Sequence, residues 1–123
     1  LWCTGALIAD LDPETEIPYF LTAYHCVSGQ NGTSHSASNV ELFWFYQPAS
    51  CGGPVPRLST VPRTSGGLDF LAGSSVSMGT DFSLLRLRTA PPAGAVYLGW
   101  SAAPQALGAG TVAVHHPSGS HKR

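Results

Sequence analysis

The sequence predicts an all-β fold, and three observations carry that expectation. Apolar stretches of strand length recur between Gly, Pro, Asn and Ser clusters, and helical periodicity is nearly absent. Two long segments, Gly29 to Ser38 and Pro48 to Gly67, are rich in turn formers and carry no repeat, as surface loops of β proteins do. At 123 residues, with no linker or low-complexity block, the chain is expected to be one unit spanning residues 1–123. Hydrophobic residues make up 43% of it and charged residues 11%, a balance that suits a packed interior and excludes a disordered chain.

The predicted strands are Thr4 to Ala9, Tyr19 to Thr22, Val40 to Tyr46, Phe70 to Ala72, Phe82 to Leu87, Ala95 to Leu98 and Thr111 to His115. Between the first two, the segment from Asp10 to Glu16 reads as a hairpin loop, because Asp12-Pro13 starts a turn and the acidic side chains favour water. The aromatic run Phe43-Trp44-Phe45-Tyr46 is expected to put alternate rings into the core. Asn31-Gly32-Thr33 matches a glycosylation acceptor pattern.

Charge removes two classes of partner. The net charge is −1 and basic residues adjoin only at Lys122-Arg123, so neither nucleic acid nor an anionic membrane surface finds a footprint. Apolar runs are too short to span a bilayer, and the chain opens on Leu1-Trp2-Cys3 where a charged leader would otherwise stand, so a mature or truncated chain is expected. Three cysteines, outside any Cys-x-x-Cys spacing, suit an oxidising, extracellular compartment; their odd number leaves one to pair elsewhere.

The residues that carry chemistry follow the second strand. Tyr19-Phe20-Leu21-Thr22-Ala23 delivers His25 to a strand end, and Cys26 beside it can tie the loop to the neighbouring arm, where Cys3 stands. A Cys3 to Cys26 disulfide would hold the imidazole still, and closing a loop of that size is worth roughly 3 kcal/mol in the chain-entropy model. A histidine acting as general base needs an acceptor on its other nitrogen to fix its tautomer. Asp81 is the natural one, because the apolar strand Phe82-Ser83-Leu84-Leu85-Arg86-Leu87 would bury its carboxylate, where a lone charge is costly. Asp69, which also precedes an apolar run, is its rival.

These segments resemble the chymotrypsin-like serine proteases. Thr22-Ala23-Tyr24-His25-Cys26 looks like that family's histidine signature, Thr80-Asp81-Phe82-Ser83-Leu84-Leu85 its aspartate motif, and Cys3-Thr4-Gly5-Ala6-Leu7-Ile8 the strand whose cysteine bridges to the one after the histidine. Within the family the similarity is closest to bacterial lysyl endopeptidases, through Tyr19 to Cys26, the aromatic strand and His115-His116-Pro117. The resemblance implies a trypsin-like double β-barrel, of which this chain is the first six-stranded barrel plus the interbarrel crossing. It implies a secreted serine endopeptidase with His25 as base and Asp81 as orienter, acting on proteins or peptides, with cleavage after Lys or Arg and a monomeric state when complete. The single lysine beside five arginines is compatible with such an enzyme sparing itself, although GC-rich coding accounts for it as well.

No Gly-x-Ser-Gly occurs before Arg123, so the nucleophile is expected outside these residues and the chain alone is expected to be inactive. Ser118 and Ser120 lack the flanking residues that shape an oxyanion turn. Cys51 is expected to pair with a cysteine before Leu1. No cofactor is expected, and no metal, since His25, His35 and Cys26 follow no known ligand spacing. The competing reading is a non-catalytic, protease-like binding module.

Overall fold

The computed structural model describes residues 2–28 and 36–123, so Asn31-Gly32-Thr33 and His35 lie outside the described residues. Among these residues six strands appear in chain order: β1 (Gly5–Ile8), β2 (Tyr19–Thr22), β3 (Leu42–Phe43), β4 (Arg63–Thr64), β5 (Leu68–Ser74) and β6 (Phe82–Leu87). Every strand pairing is antiparallel, and the helical elements among the described residues are single 3-10 turns. The fold is all-β, as the turn-punctuated apolar runs predict.

Four strands form one sheet in the order β1-β2-β6-β5, while β3 and β4 pair separately. The expected six-stranded barrel is therefore not closed: the ladders form an open sheet and a detached ribbon. The physical reason lies in the aromatic run. Its pairing covers only Leu42 and Phe43, plus one further bond from Trp44 N–H to the Pro62 carbonyl, because Phe45 turns to a left-handed φ of 56° and ends the extended backbone.

Other boundaries also move. β5 runs from Leu68 to Ser74, longer than Phe70 to Ala72, and accommodates the extra length with a bulge between Phe70 and Ala72 that leaves Leu71 outside the register. Ala95 to Leu98 is no strand; Leu98 alone bridges β1, through Ala9 N–H to the Leu98 carbonyl and Leu98 N–H to the Leu7 carbonyl, each 2.9 Å. Thr111 to His115 is also irregular, and His115 instead exchanges two backbone hydrogen bonds with Arg123.

The core is made by the inward faces of the sheet. Leu7 pairs across to Phe20 and Phe20 to Leu85, and these three are buried with Val27, Ala37, Leu68 and Leu87. On β6 the alternation is strict, with Ser83, Leu85 and Leu87 inward, so period two and burial coincide. Gly5 is required by this packing. A methyl group there would lie 2.3 Å from the Phe20 ring, so the missing side chain is what admits the aromatic. Between β1 and β2 the hairpin loop is organised by Asp10, whose carboxylate accepts from Asp12 N–H, Thr15 Oγ1 and Ile17 N–H. Those bonds hold its carboxyl below the ordinary carboxylate value, the Ile17 amide most strongly.

Candidate active site

The site is a consequence of strand pairing. Because β2 runs antiparallel to β6 with Thr22 opposite Ser83, the residues after Thr22 and those before Ser83 leave the sheet at the same end. His25 and Asp81, 56 residues apart in sequence, are thereby brought into contact. His25 lies in the 3-10 turn Tyr24–Cys26, which follows β2 after the extended Ala23.

Four restraints hold that turn. The Cys3–Cys26 disulfide fastens it to the residues that open β1. Thr22 Oγ1 donates to the Thr4 carbonyl at 2.8 Å, and both the amide and the hydroxyl of Ser28 donate to the Tyr24 carbonyl. The Tyr24 ring meets Phe70 edge-on at 6.4 Å, over Gly73, where a methyl group would fall 2.8 Å from Phe70 and 3.0 Å from Tyr24. Gly73 thus ties the position of the histidine turn to β5.

Asp81 grips this turn with both oxygens. Oδ2 lies 2.7 Å from His25 Nδ1, and Oδ1 accepts the backbone N–H of His25 at 3.1 Å. The hydrogen bond from His25 is the main influence holding the Asp81 carboxyl below its ordinary value, with the His25 and Tyr24 amides adding to it and burial opposing. An ionised carboxylate only accepts, so the Nδ1 proton points at Asp81, and in the neutral ring that tautomer puts the lone pair on Nε2. The imidazole is 57% exposed and the carboxylate 25%, so the base faces outward while its orienter sits behind it.

The backbone at Asp81 is itself unusual, with φ of 48° two residues after Gly79, which closes the 3-10 turn Val76–Met78 at φ of 103°. A left-handed aspartate is disfavoured by sterics, although Asp tolerates it better than most residues. Here its carboxylate hydrogen bonds compensate, and the conformation aims the side chain back at His25. Asp69, the rival, is engaged elsewhere: it lies 2.7 Å from Arg88 Nε and 3.3 Å from Arg86 Nη2, and these bonds depress its carboxyl in turn.

The remaining candidates are dispersed. Ser118 adopts φ of 50° in a turn, and Ser120 Oγ lies 3.3 Å from Nδ1 of the adjacent His121, which has no carboxylate partner among the described residues. His115 is exposed, whereas His116 stacks on Tyr46 at 6.1 Å and its Nδ1 meets the Ser120 carbonyl. Cys51 is exposed and forms no disulfide among the described residues. Sequence reasoning missed two contributors: the His25 amide as a donor to Asp81, and Gly73 beneath Tyr24. The signal for the second was legible, since a glycine inside a strand marks a close approach.

A family model described as "Lysyl endopeptidase, C-terminal domain" matches residues 1–123. The chain belongs to this family. The lysyl endopeptidase of Pseudomonas aeruginosa is 33% identical over 123 residues, which cover 98% of this chain and 25% of that protein. The chain therefore spans about a quarter of the length of this curated relative. No solved structure matches it. No helix among the described residues is long and apolar enough to cross a membrane.

Proposed function

We propose that this chain supplies the base and its orienter to a secreted serine endopeptidase of the lysyl endopeptidase family. The observation that carries the reading is the 2.7 Å contact between His25 Nδ1 and Asp81, combined with an outward-facing imidazole. His25 Nε2 takes the proton of a serine hydroxyl as it attacks a peptide carbonyl, then returns it to the departing amine. Asp81 fixes the tautomer and stabilises the imidazolium between those steps.

The serine, its oxyanion donors and the pocket for the substrate side chain belong to parts of the protein beyond these 123 residues. Cleavage beside lysine, suggested by the relative's name, is the preferred specificity, with arginine the alternative; proteins or peptides are the substrates, and the working enzyme is a monomer. In this reading residues 1–123 are the first barrel and the crossing segment of a trypsin-like peptidase domain. The exposed Val96, Leu98, Trp100, Val112 and Val114 support it, because apolar side chains in such number call for a covering layer.

The test uses the full-length protein and peptide amides with lysine, arginine or neutral residues before the scissile bond. His25→Ala is expected to abolish turnover, and Asp81→Asn to lower kcat by about 10⁴, the scale of losing the correct tautomer. Peptidase activity surviving in His25→Ala would sink the proposal. The isolated 123-residue chain is expected to remain unlabelled by a serine-directed phosphonate.

A further inference from the structure

We infer that opening the Cys3–Cys26 disulfide converts the back of the candidate active site into a soft-metal site, with His25 as the third ligand. The two sulfurs and a ring nitrogen of His25 all lie within 4.8 Å of one another. While the sulfurs are bonded to each other they offer no thiolate, so the oxidised chain presents no such site. Once separated, two thiolates and an imidazole at this spacing are close enough to share a zinc ion, whose bonds to sulfur and nitrogen are about 2.3 and 2.0 Å. Two cysteines, one histidine and a water complete a tetrahedral set of the kind zinc favours.

Asp81 strengthens the assignment. It accepts from Nδ1 at 2.7 Å, which leaves Nε2 as the ring nitrogen available to a metal, as in the carboxylate–histidine–metal arrangement that orients ligands in zinc sites. The histidine is also held independently of the disulfide, because its amide is bonded to the same carboxylate at 3.1 Å. One ligand and its support thus persist when the other two are released.

The chemistry balances with a dithiol as reductant. The dithiol gives two electrons and two protons to the sulfur–sulfur bond, becoming a cyclic disulfide and leaving thiols on Cys3 and Cys26. Zinc then displaces both thiol protons to solvent. The ligand set is independent of the peptidase reading; its consequence for catalysis rests on that reading, since a metal on Nε2 removes the lone pair that would deprotonate serine.

The experiment compares full-length protein, oxidised or reduced with a dithiol, as cobalt(II) is added and thiolate-to-cobalt charge-transfer absorbance is recorded. The expected result is one more cobalt per chain in the reduced wild type than in either the oxidised protein or a reduced Cys3→Ser/Cys26→Ser double variant. His25→Ala is expected to weaken that equivalent by more than 100-fold, and Asp81→Asn by about 10- to 100-fold, the scale for loss of a ligand's support. Equal cobalt binding by wild type and His25→Ala would overturn the inference, leaving two thiolates without the histidine. Circular dichroism is followed in parallel, and a sheet signal lost on reduction that cobalt does not restore would overturn it too.

Discussion

The sheet built from residues 5 to 87 and the stretch from 95 to 123 are both rich in apolar side chains, yet they end in opposite states. Among the described residues, all seven buried core hydrophobics lie between Leu7 and Leu87, whereas Val96, Leu98, Trp100, Leu107, Val112 and Val114 are exposed. The difference is not in hydrophobicity but in partners. β1, β2, β6 and β5 satisfy one another's backbone and present one face inward, so their apolar residues are removed from water together. The later stretch packs only its start, Ala95 and Tyr97, against the core, and beyond that meets the rest of the fold mainly through isolated bonds: Leu98 on β1, Trp100 Nε1 on the Ala9 carbonyl, His116 N–H on Thr4 Oγ1, and Lys122 N–H on the Tyr46 carbonyl. Apolar composition makes burial favourable; a second layer is needed to achieve it.

The strongest way to break the contrast is to damage the sheet. Leu85→Ala removes a side chain with no exposure at the centre of β6 and is expected to cost about 2–5 kcal/mol, read from urea denaturation. A loss under about 1 kcal/mol would show that the core is loose and that the two regions differ less than their burial implies. Next in size, the double replacement Cys3→Ser and Cys26→Ser releases a loop with a sequence separation of 23 and is expected to cost roughly 3 kcal/mol. If it costs nothing, the hydrogen bonds around Thr22 and Ser28 hold the histidine turn without help.

A smaller effect is conditional on pH. Asp81 binds its proton less readily in the folded chain than its ordinary value of 3.8 implies, chiefly because His25 donates to it. The stabilisation is therefore complete above that value and disappears as pH falls through the lower folded one. Asp81→Asn is expected to be less stable than wild type at neutral pH, with the gap narrowing below about pH 4. A gap that stays constant to low pH would assign the loss to something other than the carboxylate's charge. The smallest effect is expected outside the sheet: Leu107→Ser, at a fully exposed position, should change the stability of this chain by no more than about 0.5 kcal/mol. A much larger loss for the same change in full-length protein would identify the covering layer.

How legible was the molecule before its structure? The strands Tyr19–Thr22 and Phe82–Leu87 were readable with their boundaries, because each is a short apolar run bounded by turn residues. The apolar strand that follows it and the family resemblance favour Asp81 over its rival Asp69, and the geometry agrees: Asp81 meets His25, while Asp69 lies inside β5 and pairs with Arg86 and Arg88. β4 escaped notice because Arg63 and Thr64 carry no apolar signal and become a strand only by meeting Phe43 and Leu42. The reverse error fell on Thr111 to His115, whose alternation looks like a strand but finds no neighbouring strand to pair with among the described residues.

By itself, then, the sequence determined the class of fold, the two central strands, the hairpin loop at Asp10 and the histidine beside a cysteine, because each rests on side chains within a few residues of one another. Only tertiary structure decided that the six strands stop short of a closed barrel, that Phe45 bends away, and that Asp81, already favoured by pattern, reaches His25 with both carboxylate oxygens. Those outcomes depend on antiparallel registers between segments tens of residues apart, and register is set by which faces find a partner to bury them.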